Sequence, residues 1–473
     1  MNKTFERGSR KSANARPQSR GPSRPQAGGR SKAAAGAAAG ATGEAGVRGI
    51  SPALLKHTAQ ALGAVLEFDF PADAVLSRYF REQRMLGHRD RGFIAETVYA
   101  ILRRLRWLHR LCEQDSRPFK LLIAWLARGE GWTVSDFDGL LTASERDWLL
   151  ELKQRKLEPG SLAEQCDLPD WLFELLAANY GEAGALELAQ GLNRPAPLDL
   201  RVNLLKSDRE RLLTTFKGQG IVASPGPWSP QAIRLADKPA LQQHPLFKEG
   251  CFEVQDAGSQ LLGLLVQPRR GEMVVDFCAG AGGKTLQLGA MMRSTGRLYA
   301  LDVAEKRLAK LKPRMARAGL SNVHPMLIAH EQDARLKRMA GKADRVLVDA
   351  PCTGLGTLRR NPDLKWRQSP AAVAEMNERQ RAILASAARL VRPGGRLVYA
   401  TCSLLAEEND QVVDDFLASH EGFQLVSAQE VLAAQGVELD TGERLRLYPH
   451  RHDTDGFFAV VMERKAERTG ESG

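Results

Sequence analysis

The spacing of apolar residues changes character along the chain. From Ser51 onward, LLKHTAQALGAVLEF, DAVLSRYFREQRML and RDRGFIAETVYAILRRLRWLHRLC repeat apolar residues at helical intervals,. An all-α region is predicted over residues 51–160. Asp170-Trp171-Leu172-Phe173 opens another helical stretch. Short strand-like pieces follow, LDLRVN, GIVASPG, AIRLA and CFEVQ, with the helical SDRERLLTTFK among them. Residues 161–265 therefore read as an α+β region that closes with the apolar helix SQLLGLLV. Over 266–465, short apolar runs alternate with helical segments. MVVDFC, RLYALDV, DRVLVDAPC, RLVYATC and GFFAVVMER read as strands, and TLQLGAMM, EKRLAKLKPRMARAG, AEMNERQRAILASAARLV and DQVVDDFLASH as helices. That alternation predicts a parallel, doubly wound α/β sheet. Arg392-Pro393-Gly394-Gly395 reads as a turn before RLVYATC.

Composition adds limits. Residues 1–50 are Gly/Ala/Arg/Pro/Ser-rich, as in GGRSKAAAGAAAGATGEAG, and are expected to be disordered,; a short tail is expected over 466–473. The formal net charge is +11, and residues 1–50 carry ten Lys/Arg against two Glu, a net +8 of it. Such a tail suits either phosphate contact or solubility. The remainder is only mildly basic, so charge alone does not establish a nucleic-acid partner. No apolar run approaches the roughly 18 residues of a membrane span, and the start has no apolar secretory core. The six Cys show no CxxC, which argues against a disulfide scaffold or a zinc site. No metal is expected, and a reducing cytoplasm fits best.

The candidate chemistry sits where strands end, which is where open α/β sheets bind ligands. The first strand runs into Asp276-Phe277-Cys278-Ala279-Gly280-Ala281-Gly282-Gly283-Lys284-Thr285. Small residues let the backbone approach a ligand, and the next helix points its first N–H groups there. The loop lacks the first glycine of GxxxxGK[ST] and does not match GxGxxG. The second strand ends at Asp302, positioned either to bind ribose hydroxyls or to cap a helix. Asp333, in HEQDAR, is either an adenine contact or a loop acid. The fourth unit reads Asp349-Ala350-Pro351-Cys352-Thr353-Gly354, and the fifth ends in Thr401-Cys402-Ser403 before Glu407-Glu408. Alone, either cysteine would pass for a small core hydrophobe. As a pair at strand ends beside an Asp, they suit nucleophilic chemistry, given a nearby cation such as Lys284 or Arg360. Arg359, Arg360, Lys365 and Trp366 interleave cations with an aromatic, which suits an RNA backbone with a stacked base, or else a basic loop with a packing Trp.

In this order, DFCAGAGGKT, ALD, QDAR, DAPCTGLGTLRRNPDLKW, ATCS..EEN and DGFF resemble the Sun-type (Nop/Sun) RNA cytosine-C5 methyltransferases, from about Val254 to Arg464. Residues 51–160, above all HRDRGFIAETVYAILRR, resemble more loosely the NusB-like domain of the bacterial ribosomal-RNA branch. PLDLRVN…CFEVQDAGSQL resembles that family's linking RNA-binding domain. The resemblance implies a Rossmann-like methyltransferase domain behind a NusB-like and an α+β RNA-binding domain. It implies S-adenosylmethionine held by Cys278, Ala279, Gly280, Ala281, Gly282, Gly283 and Lys284, with Asp302 on its ribose and Asp333 near its adenine. Asp349 is expected to face both cofactor and target cytosine. Cys402 is expected to be the nucleophile and Cys352 to assist product release.

One departure stands out. The family loop usually reads CAAPGGKT, and here Gly280-Ala281 replaces Ala-Pro, removing a φ restraint,. DAPC in place of [DN]PP[YF] disfavours an amino-methyltransferase. The expected protein is a monomeric RNA cytosine-5 methyltransferase that acts on small-subunit ribosomal RNA. The rivals are the same chemistry on tRNA, and a non-catalytic RNA-binding assembly factor.

Overall fold

The computed structural model describes residues 50–466, so the expected tails 1–50 and 466–473 lie, but for Ile50 and Ala466, outside the described residues. The N-terminal region is helical. Pro52–Leu66 starts from Ser51, whose hydroxyl accepts the Leu54 N–H, with proline at its first position,. Ala72–Glu82, His88–Arg103, Leu105–Leu111, Pro118–Ala124 and Ala143–Gln154 follow. Their apolar stripes, including Leu62, Ile94, Ile101, Leu108 and Leu149, meet in one buried core,. The repeat through RDRGFIAETVYAILRRLRWLHRLC breaks at Arg104. Arg104 pairs with Asp167 at 2.7 Å, and Asp167 accepts the Trp107 N–H at 2.9 Å. A carboxylate from far along the chain serves the start of the second helix, which no local pattern reports.

β1 (Leu198–Val202), β2 (Ala223–Pro225), β3 (Ala232–Leu235) and β4 (Phe252–Val254) form an antiparallel sheet in the order β2-β3-β1-β4. The helix Arg209–Gly218, capped by Asp208, packs Leu212 and Phe216 with Leu200, Ile233 and Phe252.

The larger sheet holds β5 (Met273–Asp276), β6 (Arg297–Asp302), β7 (Val323–Leu327), β8 (Ala343–Asp349), β9 (Val391–Thr401), β10 (Phe423–Val426), β11 (Arg444–Leu447) and β12 (Phe457–Arg464). Its order is β10-β12-β9-β8-β5-β6-β7, with β11 paired to β12. β5 to β9 are parallel. Consecutive residues face opposite cores: Val274, Leu347 and Val398 enter one, Val275, Val348 and Tyr399 the other. Burial on both faces is why these strands read as unbroken apolar runs.

Two details differ from the sequence reading. β10, β11 and β12 join antiparallel, so the sheet is not parallel throughout. The link 448–456 between β11 and β12 is too short for a parallel crossover,. The expected turn Arg392-Pro393-Gly394-Gly395 is a bulge within β9: Val391 faces Ala343 and Arg396 faces Arg345, and the residues between loop out with Gly394 at φ 69°,.

The long helix Asp170–Leu192 bends at Gly181 (φ 71°). It packs Leu172, Leu176 and Leu188 against Leu355, Leu358 and Leu404, in the loops that follow β8 and β9. Among the described residues, no helix is long and apolar enough to cross a membrane.

Candidate active site

β5 lies between β6 and β8, so the chain leaves it in both directions and opens a crevice at the strands' carboxyl ends,. A cavity of about 680 Å³ occupies that crevice, within the usual range for a small-molecule site. The loop after β5 forms its floor. Ala279 donates to the Leu301 carbonyl and Gly280 to Asp302 Oδ2 at 2.7 Å. Gly280 has φ 57° and Gly282 φ 87°, backbone that favours glycine, and a Cβ on Gly282 would come within 2.2 Å of Leu311,. The helix Gly283–Met291 then starts at the cavity wall. Its first N–H groups have no intrahelical acceptor and suit a carboxylate.

Asp302 does not cap the helix Glu305–Leu308, which starts from Ala304 with no side-chain cap. Its Oδ1 accepts the Ala304 N–H at 2.6 Å, as a turn cap does, while the residue still lines the cavity. Asp333 is elsewhere. β7 stops at Leu327, and Asp333 caps the turn Ala334–Met339 through the Ala329 and Arg335 N–H groups. The Arg335 guanidinium beside it holds its carboxyl well below the usual range. Ile328 and Glu331 reach the cavity from this segment; Asp333 is not among the residues that line it.

The reactive groups gather at the ends of β8 and β9. Asp349 Oδ2 accepts from Lys284 Nζ at 2.7 Å. Burial works against the Lys284 charge, but Asp349, Cys402 and Asp276 outweigh it and raise its pKa. Cys352 Sγ lies 3.3 Å from Cys402 Sγ, and both thiols are free. The hydrogen bond with Cys402, then burial, pushes the Cys352 thiol well above its ordinary value. Burial, with Asp276 and Asp349 beside it, does the same to Cys278. Lys284 is therefore the cation near the thiols that the sequence called for.

Arg360 is not. The expectation that Arg359 and Lys365 face RNA is corrected by their burial, while Arg360 and Trp366 are part-exposed and held by partners within the chain. Arg359 is buried and pairs with Asp453 at 2.9 Å. Arg360 pairs with Asp455 at 2.6 Å and Asp256 at 2.8 Å. Lys365 is 1% exposed and donates to the Arg103 carbonyl and to Asn193. Trp366 Nε1 donates to the Leu102 carbonyl, and its ring packs on the helical core. Lys365 and Trp366 join the helical region to the loop after β8.

Sequence reasoning missed the residues that hold the glycine loop from outside. Arg201 of β1 donates to the Gly283 carbonyl at 2.6 Å, and Arg314 to the Ala281 carbonyl at 2.6 Å. Arg314 also pairs with buried Glu253 of β4. They restrain the backbone where the departure from CAAPGGKT had removed a proline. The only available signal was Arg201 within LDLRVN, next to a strand pattern.

These residues fit S-adenosylmethionine. Gly280 and Gly283 leave open space toward a ligand. Asp302 offers oxygens for ribose hydroxyls, and Lys284 with the helix start offers a place for a carboxylate.

Comparisons with known proteins agree with this geometry. The family model for 16S rRNA methyltransferase RsmB/F matches residues 263–463, and that for the ferredoxin-like domain of RsmF/B-like methyltransferases matches 168–242. A Synechocystis relative, "Probable ribosomal RNA small subunit methyltransferase B", is 34% identical over 79% of this chain and 91% of its own. The ribosomal RNA small subunit methyltransferase B of Sodalis glossinidius is 31% identical over 81% of this chain and 92% of its own. The crystal structure of PH0851 superposes with a TM-score of 0.71 at 27% identity, covering 88% of this chain and 99% of that one. A methyltransferase homologue from Pyrococcus horikoshii gives 0.53 at 29% identity, over 68% and 100%. Cavity, glycine loop and paired strand-end cysteines thus sit in a chain that belongs to the RsmB/F family of 16S rRNA methyltransferases.

Proposed function

We propose that this protein methylates C5 of a cytosine in small-subunit ribosomal RNA, in the cytoplasm, through a covalent bond from Cys402 to C6. The observation that carries the reading is the pair of thiols 3.3 Å apart, on the same cavity as the glycine loop and the Lys284–Asp349 pair. S-adenosylmethionine, when bound there, supplies an electrophilic methyl group. Cytosine C5 is too poor a nucleophile to take that group unaided. Attack of the Cys402 thiolate on C6 makes C5 enamine-like, and C5 then takes the methyl. Asp349 holds the N3/N4 edge of the base. The base must first leave its stack, at a cost of a few kcal/mol that is least where it is unpaired.

Release follows from the same geometry. C5 gives up its proton, the S–C6 bond breaks and Cys402 leaves as thiolate. Cys352 is suited to assist. Two of the causes that raise its pKa, the hydrogen bond and the negative charge of Cys402, disappear once Cys402 is bonded to carbon,. Cys352 then gives its own proton to solvent, and its thiolate takes the C5 proton as the S–C6 bond breaks. The names of the relatives favour ribosomal RNA over tRNA. The intact thiol pair weighs against a non-catalytic assembly factor.

The test is a trap. Wild type, Cys352→Ala and Cys402→Ala are incubated with unmodified RNA and labelled S-adenosylmethionine, then run on denaturing gels. An RNA adduct is expected to build up in Cys352→Ala and to be missing from Cys402→Ala, whose turnover falls on the order of 10⁴-fold. Undiminished methyl transfer by Cys402→Ala would sink the covalent reading.

A further inference from the structure

Behind the thiols lies a carboxylate that the chemistry above does not use. Glu408 is fully buried, and among the described residues no cation pairs with it. It accepts four hydrogen bonds. Oε1 takes the Thr353 N–H at 2.8 Å and Gln380 Nε2 at 3.0 Å. Oε2 takes the Thr353 hydroxyl at 2.5 Å and the Ser403 hydroxyl. Thr353 follows Cys352, and Ser403 follows Cys402. The same Gln380 amide donates to the Pro351 carbonyl at 2.9 Å, just before Cys352. The Tyr399 hydroxyl, from within β9, donates to the Glu408 carbonyl at 2.7 Å. Asn409 takes the Thr401 hydroxyl, just before Cys402.

A carboxylate taken out of water is costly and persists only where several donors meet it. Packing alone gives no reason for one here, since an apolar side chain of this size would fill the space. Its donors come from the two cysteine loops and from the helix Pro370–Ala388 that backs them. Glu408 does not line the cavity, so it does not act on substrate itself.

We infer that Glu408 is a positioning residue: a single buried carboxylate holds the neighbour of each cysteine and thereby sets the approach of the two sulfurs. The inference rests on the two-thiol reading for its role in catalysis. The clamp fixes where Cys402 stands relative to C6 and where Cys352 stands relative to Cys402. The charge of Glu408 has a second effect in the same direction. It is one of the influences that keep the proton on Cys352.

The test uses the full chain with Glu408→Gln, which keeps shape and two acceptor lone pairs, and Ser403→Ala, which removes one donor from the β9 side. Glu408→Ala serves as the severe case, with thermal melting to check that each variant folds. Two quantities are read. The first is steady-state methyl transfer, where Glu408→Gln is expected to lower kcat about 10- to 100-fold while KM for S-adenosylmethionine stays within about twofold. The second is the equilibrium of the thiol pair with glutathione. Oxidised glutathione takes two electrons and both thiol protons, giving a Cys352–Cys402 disulfide and two molecules of reduced glutathione, scored by peptide mass spectrometry. Its midpoint reports how closely the sulfurs are held. It is expected to move at least about fivefold in Glu408→Gln and by less, in the same direction, in Ser403→Ala. A wild-type midpoint in Glu408→Gln overturns the clamp, whatever kcat does. The midpoint needs no turnover, so it still tests the clamp if Cys402→Ala proves active and the covalent reading fails.

Discussion

The end of β8 and the segment Arg359–Trp366 are near neighbours in sequence, and both looked chemical. One delivered side chains to the cavity; the other tied them to partners within the chain. Asp349 and Cys352 line the cavity, which opens at the carboxyl ends of the strands,. Arg359, Arg360 and Lys365 are turned inward by carboxylates and carbonyls from distant parts of the chain: Asp256, Asp453, Asp455, Arg103 and Asn193. The first placement follows from topology and the second from tertiary partners. A cationic run therefore says little about RNA until its acids are located.

Replacing Arg360 by Met separates the two uses most sharply. It leaves Asp256 and Asp455 buried without their cation, and burial already pushes Asp455 up to about 7. A loss of stability on the order of 3 kcal/mol is expected, read as a lower urea midpoint. RNA affinity measured across salt concentrations should keep its slope, since no phosphate contact is removed. A slope smaller by about one with stability unchanged would place Arg360 on an RNA surface and erase the contrast.

Lys365 gives a pH version of the same question. Burial, opposed by Asp167 and aided by Arg103 and Arg104, pushes its ammonium down to about 7. In the unfolded chain it titrates near about 10.4. Between those values the unfolded state holds a proton that the folded state has lost, so stability rises with pH across that window. Below about 7 both states are charged and the full penalty of burying the ammonium applies. Lys365→Met removes this slope. The wild type is expected to gain at least about 1 kcal/mol on the variant between pH 7 and pH 9, from about 1.4 kcal/mol per pKa unit. Urea melts at the two pH values measure it, and a constant difference means a lysine that sits in water.

The sequence was most legible where periodicity and strand-end chemistry coincide. The apolar runs MVV, VLV and LVYA named the central strands because both faces are buried, and the residues after them named the cavity wall. It was least legible where one residue answers another far away. Asp167 starts a helix 60 residues earlier in the chain, at Trp107. Arg314 restrains the loop at Ala281, and Glu408 reaches Thr353 across 55 residues. None of these leaves a local pattern. The bulge in β9 was half visible: Pro393-Gly394-Gly395 announced a departure from the strand but not that pairing resumes on the same neighbour.

The smallest expected effect belongs to Asp333, one of the two acids read as cofactor contacts. Asp302 both lines the cavity and fastens Gly280, so Asp302→Ala removes a charged acceptor and loosens the loop. A loss of such bonds, at about 1.5–3 kcal/mol, should raise KM for S-adenosylmethionine about 10- to 100-fold. Asp333 spends its oxygens on its own turn and on Arg335. Asp333→Asn keeps most of that turn, because its amide oxygen still accepts, and a change of less than about threefold is expected. Equilibrium binding of S-adenosylhomocysteine to both variants checks the pair without relying on turnover. Equal weakening would mean that the segment after β7 swings Asp333 onto the ligand. The end of β7 would then behave like the end of β6, and strand position would again be the better guide than the partners a side chain already has.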